Sequence, residues 1–548
     1  MLNIELENKK IEVPDGTIYY ELATQYEKET GRRPYLVKAS DIAKELRRHV
    51  KHDEKIEFLF YDSDVVKDAY ARTAIFLFLK SIYDAFGGKL DGGLKFRIGN
   101  SYYFEIEDGN ITYEKITEIK KIFDSCVDNA LVIGKTSYPK LDAMKIFEEK
   151  KMEDVRLLFQ YNYRPVINLR NIDSYVKYIN GTLLRDTSYL KYYDIRKYRN
   201  GALLVLPESD DDTLVTYKEP GDKFFNIHNI SVNWAKQLKI NTVGKLNEEI
   251  SLGNFNDLVI MTESFQDKQI ADVAAKIQQS GKRFVFVAGP SSSGKTSFSH
   301  RLMYHLKALE LIPHPIACDD FFKERVETPK LPNGEYDFET INSIDIDLLN
   351  DTLNRLLNGE EVFLPKFDFD VGTKIFSKKP FKINKNDVII LEGIHCLNPM
   401  LTPDISVDEI FRVYISALTE VSIDNANRIA TSDLRLIRRL VRDARTRNTN
   451  PKVTLKRWKD VRVGEENNIF PFQEEADVLF NSALIYEFSV LKIKTLPMLY
   501  KLSEDAEVGE TAKRLIKMLN YFLGVDTDII PKHSLIREFI GGGALDVG

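Results

Sequence analysis

The pattern of apolar and polar residues divides the chain into an early part rich in short strands and a later part of alternating strands and helices. Alternation over Leu2–Leu6 and Lys10–Val13, around a polar turn, predicts a hairpin. Helical spacing follows over Ile18–Glu29, and Tyr35–Lys38 and Ile56–Tyr61 have the composition of further strands. The chain therefore begins with two strands, a helix and more strands.

That order is typical of a small β-grasp module. Helical spacing over Asp64–Ala85, followed by glycine turns and paired strand segments, predicts a mixed α+β domain next. A connector ending in a helix then leads to an α/β domain with a mostly parallel sheet, and a tail closes the chain. We thus predict a multidomain protein whose segments are 1–60, 61–230, 231–280, 281–525 and 526–548.

A glycine-rich motif carries the clearest chemistry. Residues 289–296 read Gly-Pro-Ser-Ser-Ser-Gly-Lys-Thr, after the apolar run Arg283–Ala288 and before a helix-compatible stretch. In such a loop backbone N–H groups surround phosphate oxygens, the lysine reaches the β and γ phosphates, and the threonine hydroxyl binds Mg²⁺. The motif predicts binding of ATP with Mg²⁺. The expected nucleotide-binding residues are Gly289, Pro290, Ser291, Ser292, Ser293, Gly294, Lys295, Thr296 and Ser297.

Acidic residues end two of the later strands. Pro315–Phe322 is a short apolar strand that contains Asp319 and Asp320, and Val388–Ile394 is a buried strand that contains Glu392. In an open parallel sheet the carboxyl ends of strands meet at the ligand-binding crevice. Taken singly, either acidic end could cap a helix. Beside a phosphate loop, both together predict carboxylates near Mg²⁺ and near an attacking hydroxyl, as phosphoryl transfer requires.

An arginine-rich helix is predicted over Asp433–Arg447. Its apolar residues form a stripe at helical spacing, and arginines recur three or four residues apart beside that stripe. A run of this kind can be a solvated helix face. However, Asp443 is the only acid between Arg435 and Arg447, and guanidinium groups stabilise a phosphoryl group in transfer. The helix is therefore a candidate lid over the phosphates.

Composition narrows the class of protein. The chain has 548 residues, of which 43% are hydrophobic and 29% charged, as in soluble globular proteins. Cys126, Cys318 and Cys396 are far apart and form no metal or disulfide pattern, which predicts a reducing cytoplasm. Neither a leader peptide nor an apolar run of membrane-spanning length is expected. A net charge of −6 argues against a surface devoted to nucleic acid.

The N-terminal third resembles two modules of known proteins. Ile11–Thr17, which reads Ile-Glu-Val-Pro-Asp-Gly-Thr, resembles the opening of a TGS domain. Arg72–Lys80 and Lys95–Glu105 resemble the editing domain that follows it in threonyl-tRNA synthetases. The two helical histidines of that domain are replaced here by Tyr70 and Ala74.

The same region lacks the residues that editing chemistry requires. No histidine stands between His52 and His228, and only one cysteine does, so neither a histidine metal site nor histidine acid–base chemistry can be built there. We therefore interpret residues 61–230 as a binding or regulatory appendage.

One stretch of this region could contact tRNA or other RNA. Arg185–Arg199 interleaves four tyrosines with lysines and arginines, and aromatic rings stack on bases while cations meet phosphates. The alternative is a surface whose tyrosines bury their rings and expose their hydroxyls.

Residues 283–485 resemble the uridine kinase and phosphoribulokinase family of P-loop kinases. The family's phosphate loop matches residues 289–296, and its acid-acid-aromatic motif matches Asp319-Asp-Phe-Phe322. Its strand-borne Glu-Gly-Ile matches Glu392–Ile394, and its Arg-Arg-x-x-Arg-Asp lid matches Arg438–Asp443.

The resemblance implies roles for individual residues. Asp319 would orient or deprotonate the sugar 5'-hydroxyl, and Asp337 would hold ribose hydroxyls. Lys295 would act in catalysis with Arg442 and Arg447, which would serve the phosphates. The remaining expected site residues are Arg439, Phe367 and Phe369 on the substrate side, and Thr296, Glu392 and Asp319 near the metal.

The acceptor pocket departs from the family pattern. The tyrosine that contacts the base is replaced by Phe367, which can stack but cannot form a hydrogen bond, and a following histidine is replaced by Gly372. Removing a buried polar group changes base discrimination by several kcal/mol. A lid arginine is replaced by Thr449. The acceptor class is therefore better defined than the base, for which uridine and cytidine lead.

These features predict an ATP- and Mg²⁺-dependent nucleoside kinase that acts on a 5'-hydroxyl. Two alternatives stay open: a kinase for another small acceptor such as a pentose phosphate, and an ATP-gated regulator that binds RNA through the N-terminal modules. No membrane contact is expected, and self-association is left open.

Overall fold

The computed structural model describes residues 1–40, 42–106, 111–208, 213–330, 334 and 336–545. Two compact units make up the chain: Met1–Pro220 with Ser422–Arg428, and Gly221–Val421 with Ile429–Gly548. The last three residues of the predicted tail, 546–548, lie outside the described residues. Among the helices described, none combines the length and apolar character that crossing a membrane requires.

The first unit contains twelve described strands and five described α-helices. The elements are β1 Leu2–Leu6, β2 Lys9–Val13, α1 Tyr19–Thr30, β3 Leu36–Ala39, β4 Ile42–Lys44, β5 Lys55–Leu59, α2 Asp64–Ala85, β6 Gly92–Ile98, β7 Ser101–Ile106, α3 Tyr113–Asp128, β8 Gly134–Pro139, α4 Lys140–Glu149, α5 Glu153–Gln160, β9 Val166–Ile172, β10 Tyr175–Lys177, β11 Asp194–Tyr198 and β12 Gly201–Val205.

These strands form three sheets. The first has the order β2-β1-β5-β3-β4, with β1 parallel to β5 and antiparallel pairing elsewhere. The second has the order β11-β12-β7-β6 and the third β10-β9-β8, and both are antiparallel. Helix α2 is buried along most of its length, which is why its apolar residues surround the whole helix rather than one face.

A short segment from late in the chain belongs to the first unit. Asn427 donates from Nδ2 to the Tyr178 carbonyl oxygen over 2.9 Å, and its Oδ1 accepts from the Asn180 N–H over 2.7 Å. The N–H of Asn425 donates to Asp154 Oδ2 over 2.8 Å. Residues 422–428 are therefore held by backbone and side-chain hydrogen bonds within that unit.

The second unit contains the remaining described elements. They are α6 Asp222–Gln237, α7 Val243–Ser251, α8 Phe255–Ser280, β13 Phe284–Ala288, α9 Lys295–Ala308, β14 Ile312–Ala317, α10 Ile346–Leu357, β15 Pro365–Asp368, β16 Thr373–Phe376, β17 Asp387–Glu392, β18 Ile410–Ser416, α11 Thr431–Thr446, α12 Pro451–Asn468, β19 Val478–Asn481, α13 Glu487–Leu502, α14 Gly509–Leu519 and α15 Arg537–Ile540.

The central sheet of the second unit is parallel throughout. Its order is β14-β17-β13-β18-β19, so the predicted α/β domain with a parallel sheet is confirmed. Strand β13 is buried along its whole length, as a central strand covered on both faces must be. The carboxyl ends of β13, β14 and β17 meet at one edge, where the phosphate loop and both acidic strand ends lie.

One region differs from the sequence-based expectation. The predicted connector, 231–280, is expected to be helical only at its end, but α6 and α7 are helical as well and α8 already begins at Phe255. The sequence of this connector does not predict these helices, because its apolar runs are short and its frequent asparagines have a low helix propensity. For the C-terminal segment the sequence leaves a mobile tail and a docked segment equally open, and the structure has it docked, since Leu535, Ile536 and Phe539 are completely buried.

Candidate active site

The phosphate loop connects the end of β13 to the start of α9. Ser292 and Gly294 have backbone φ angles of +57° and +87°, in the region that favours glycine. A Cβ on Gly289 would lie 2.2 Å from the carbonyl oxygen of Ile415 on β18, so only glycine fits there. The loop therefore runs directly against the neighbouring strand.

Two buried arginines of α11 brace the loop. Arg435 Nη1 donates to the Ser291 carbonyl oxygen over 3.1 Å and Arg438 Nη1 to that of Ser292 over 3.3 Å. Their charges are matched by Glu465 on α12, which accepts from Arg435 Nη2 over 2.7 Å, and by Glu487 on α13, which accepts from Arg438 Nη2 over 2.8 Å. These arginines shape the loop and are not free lid residues.

Thr296 and Glu392 meet at the base of the loop. The Thr296 hydroxyl donates to Glu392 Oε1 over 2.9 Å, while Glu392 Oε2 is buried without a hydrogen-bond partner among the described residues. The hydroxyl oxygens of Ser292 and Ser293 are also buried and unpartnered there. Orphaned polar atoms beside a glycine cradle fit a phosphate group and a hydrated Mg²⁺, which takes only one or two protein oxygens.

Lys295 lies across this loop. Its Nζ donates to the carbonyl oxygens of Gly289 and Pro290 over 2.9 and 3.3 Å. Its charge opposes the effect of burial on the Glu392 carboxyl, whose pKa is nevertheless raised, because desolvation disfavours the charged form most strongly.

The two adjacent acids after β14 have different surroundings. Asp320 Oδ1 accepts from the Phe367 N–H over 3.3 Å and so anchors β15. Asp319 reaches solvent, but the protein around it desolvates the carboxyl and raises its pKa to about 6, while Lys295 and Arg447 oppose the rise. Asp319 is thus the acid that remains available at the crevice.

Two further acids lie on the same side. Asp337 Oδ1 accepts from the Glu339 N–H over 3.1 Å, which orients the turn between them. Burial raises the pKa of the Glu339 carboxyl, although Arg439 and Lys295 favour its charged form. Glu339 in turn contributes to the raised pKa of Asp319, so these carboxylates interact electrostatically.

Arg439 and Arg442 of α11 and Arg447, directly after that helix, converge on Asp443. Arg439 Nε lies 3.3 Å from Asp443 Oδ2, Arg442 Nη2 lies 2.9 Å from Oδ1, and Arg447 Nη1 lies 3.7 Å from Oδ1. Arg439 Nη1 also donates to the Ser291 hydroxyl oxygen over 2.9 Å. The Arg447 side chain is 57% exposed, so the group extends from the loop to the mouth of the crevice.

Aromatic rings line the acceptor side. Phe322 contacts the rings of Phe367 and Phe369 edge-on at centroid distances of 5.7 and 6.1 Å, and Phe338 at 5.3 Å. Phe367 is 3% exposed and belongs to the core, whereas Phe369 is 55% exposed. Of these two expected substrate residues, Phe369 is therefore the one whose ring is accessible to a ligand.

Gly372 cannot be replaced by a residue with a side chain without strain. Its φ is +83°, and a Cβ there would lie 2.6 Å from Arg325 Nε. The Arg325 N–H donates to the Gly372 carbonyl oxygen over 2.9 Å, and its guanidinium donates to the carbonyl oxygens of Phe369 and Asp370. The Arg325 side chain thus occupies the space that a side chain at position 372 would need.

The structure adds residues that the sequence did not single out. Glu339 stands two positions after Asp337, a spacing that could have drawn attention to it. Glu465 and Glu487 are buried acids on later helices, and no local pattern links them to their arginines. The sequence does not indicate that Arg325 belongs to the site, because its contacts depend on the turn at Gly372.

Known proteins are similar to the second unit. Residues 284–485 match the model of the Phosphoribulokinase / Uridine kinase family. Uridine kinase of Halalkalibacterium halodurans is 28% identical over 223 residues, which cover 39% of this chain and 96% of that protein. Uridine kinase-like protein 5 of Arabidopsis thaliana is 30% identical over 195 residues, covering 35% and 37% of the two chains. A solved structure of a possible uridine kinase from Bacillus stearothermophilus is 19% identical, with a TM-score of 0.27, and covers 39% of this chain and 98% of its own.

Proposed function

We propose that this chain, whose residues 284–485 belong to the phosphoribulokinase and uridine kinase family, is an ATP-dependent nucleoside kinase that phosphorylates a 5'-hydroxyl. Uridine and cytidine are the proposed acceptors. The observation that carries the proposal is the position of Asp319, exposed at the end of β14 and within electrostatic reach of Lys295 on the phosphate loop. An acceptor hydroxyl at Asp319 would face a phosphate held by the loop.

Transfer would rest on positioning and charge. Asp319 would accept the proton of the 5'-hydroxyl while the hydroxyl oxygen bonds to the γ-phosphorus. The bond between that phosphorus and the oxygen bridging it to the β-phosphate would break, and ADP would leave with the electron pair. A pKa of about 6 leaves Asp319 mostly ionised at neutral pH, as a base requires. Lys295, Arg442 and Arg447 would stabilise charge on the transferring group.

Thr296 and Glu392 would hold the metal. A bound Mg²⁺ neutralises phosphate charge and orients the β and γ phosphates for in-line attack. The chain would contribute the Thr296 hydroxyl directly and the Glu392 carboxylate through water. The unpartnered Glu392 Oε2 supports this assignment.

The electrostatics of the acceptor side favour a neutral acceptor over a phosphorylated one. Three carboxylates, those of Asp319, Asp337 and Glu339, lie on that side, with Arg439 near Glu339. Their negative charge would disfavour an acceptor that already carries a phosphate. The exposed ring of Phe369 would stack on a base. Both features support a nucleoside rather than a pentose phosphate.

For the first unit we propose a TGS-like β-grasp module over 1–60 and an editing-like but non-hydrolytic domain over 61–230. Tyr70, which replaces a histidine of the editing pattern, is 1% exposed, and its hydroxyl donates to the Tyr192 carbonyl oxygen over 2.8 Å. Tyr189 and Tyr198 of the proposed RNA-contacting stretch are buried as well, so base stacking there would fall to Tyr192 and Tyr193.

The test is ADP release by the full-length protein across a panel of nucleosides and pentose phosphates with MgATP. We expect uridine or cytidine to raise the rate well above that without acceptor, and Lys295→Ala and Asp319→Asn to abolish the increase. A panel in which no nucleoside raises the rate above that of these variants would refute the proposal. Stimulation by a pentose phosphate alone would instead identify the alternative kinase.

A further inference from the structure

The C-terminal segment Ser534–Gly541, which includes α15, contacts the phosphate-loop helix. It lies beyond residues 284–485, the part that matches the family model. Ser534, Phe539 and Ile540 are buried, and Glu538, a charged residue, is only 6% exposed. A buried carboxylate is costly unless it is paired or hydrogen-bonded.

Glu538 is hydrogen-bonded to the first turn of α9. Its Oε2 accepts from the Ser297 hydroxyl over 2.8 Å and from the Ser297 N–H over 3.3 Å. The N–H groups of a first turn have no partner within the helix, and the positive end of the helix dipole favours an anion there. Ser297 directly follows Thr296, so Glu538 holds the residue next to the proposed metal ligand.

The same segment is bound to α11, the helix that carries the lid arginines. Arg445 Nη2 donates to the Glu538 carbonyl oxygen over 2.7 Å, and Arg445 Nε donates to that of Phe539 over 3.3 Å. The Arg438 guanidinium lies 4.8 Å from the centroid of the Phe539 ring. The segment therefore links the phosphate-loop helix to the helix that braces the loop.

Glu263 of α8 fixes the start of the segment. Its Oε1 accepts from the hydroxyls of Ser534 and Tyr486, and its Oε2 lies 3.5 Å from Arg301 Nη1 on α9. Ser534 is thus tied through one carboxylate to α9 itself. The segment is thus held at Ser534 and again at Glu538 and Phe539, which restricts the Glu538 side chain to its position against α9.

We propose that Glu538 is a positioning residue for the nucleotide and metal site and acts through Ser297. By fixing the first turn of α9 it holds the Thr296 hydroxyl in the geometry that faces Glu392. The negative charge of Glu538 also helps to raise the pKa of the Glu392 carboxyl, so the two carboxylates interact electrostatically. This inference rests on the proposed function only in that the site binds MgATP.

The experiment measures MgADP and MgATP binding to the full-length protein by calorimetry, at several Mg²⁺ concentrations. Variants are Glu538→Ala, Ser297→Ala, the double variant and Glu538→Gln, with the exposed Glu510→Gln of α14 as a matched control. We expect Glu538→Ala and Ser297→Ala each to weaken Mg²⁺-dependent binding about 10-fold, as loss of an outer-shell partner does. The double variant should bind no more weakly than Glu538→Ala, because that variant already removes both hydrogen bonds to Ser297.

Glu538→Gln should retain most of the binding, since the amide oxygen of glutamine can accept the same hydrogen bonds from Ser297. Unchanged binding in Ser297→Ala, or losses that add in the double variant, would overturn the proposal. If Glu538→Ala does not fold, Ser297→Ala is compared with the double variant Ser297→Ala/Glu538→Gln, which should bind equally well; a further loss in that double variant would contradict a role that acts through Ser297. Binding needs no acceptor, so a failed nucleoside panel with the expected binding losses would refute only the proposed function.

Discussion

Thr296 and Glu392 are joined by a 2.9 Å hydrogen bond between the threonine hydroxyl and Glu392 Oε1, across 96 residues of sequence. The bond unites the first turn of α9 with the carboxyl end of β17. Because β17 pairs with β13, the strand that leads into the phosphate loop, the parallel sheet itself brings these two residues together. The proposed metal site therefore depends on the sheet register and not on a flexible loop.

Glu392→Gln should raise the Mg²⁺ requirement while ATP remains able to bind. The amide oxygen can still accept from Thr296, but the variant loses the negative charge that would hold the hydrated metal. We expect the Mg²⁺ concentration for half-maximal phosphate transfer to rise about 10- to 100-fold, the usual effect of losing an outer-shell group. A Mg²⁺ titration of ADP release measures it, with the exposed Glu361→Gln as control. An unchanged half-maximal concentration would remove Glu392 from the metal site.

Activity should rise with pH through the pKa of Asp319, which is about 6. The base form is the deprotonated one, so kcat/KM for the nucleoside should be low below pH 6 and level off above pH 7. Glu339→Gln removes a negative charge that raises this pKa, so the rising limb should move to lower pH. A limb that stays in place in Glu339→Gln, measured at saturating MgATP, would argue against Asp319 as the titrating group.

Replacing Arg438 of α11 should affect stability, whereas replacing Arg447, directly after that helix, should affect catalysis. Arg438 and Glu487 form an ion pair with both side chains fully buried, so Arg438→Ala should destabilise the protein by about 3–5 kcal/mol, because it leaves a buried charge unpaired. Arg447 is 57% exposed, so Arg447→Ala should leave the melting temperature nearly unchanged while lowering kcat. Thermal denaturation and ADP release on both variants separate the two roles. Equal melting temperatures would contradict the assignment of Arg438 as structural.

Local patterns predicted the strand, loop and helix around residues 289–296 because each element is encoded by neighbouring residues. The parallel sheet followed from the apolar strands that end in acids. The partners of the buried arginines could not be predicted, since Glu465 and Glu487 lie 30 and 49 residues from Arg435 and Arg438 and meet them only through helix packing.

On the acceptor side, even the different roles of two neighbouring residues could not be predicted from the sequence. Asp319 and Asp320 are adjacent in sequence, but in the structure Asp320 pairs with the Phe367 N–H while Asp319 stays exposed. The docking of the C-terminal segment could not be predicted from the sequence either. Its few apolar residues fit either a free tail or a packed segment, and the choice depends on the distant helices α8, α9 and α11.

Phe367 and Phe369 should respond differently to truncation, although one residue separates them. Phe367 is 3% exposed, so Phe367→Ala should cost about 3–5 kcal/mol of stability through the cavity it leaves. Phe369 is 55% exposed, so Phe369→Ala should keep the melting temperature but raise KM for the nucleoside, with KM for ATP unchanged. Loss of base stacking worth about 1–3 kcal/mol predicts a rise of roughly 5- to 150-fold. Steady-state kinetics with each substrate varied in turn give both constants, and an unchanged nucleoside KM would exclude Phe369 from the base pocket.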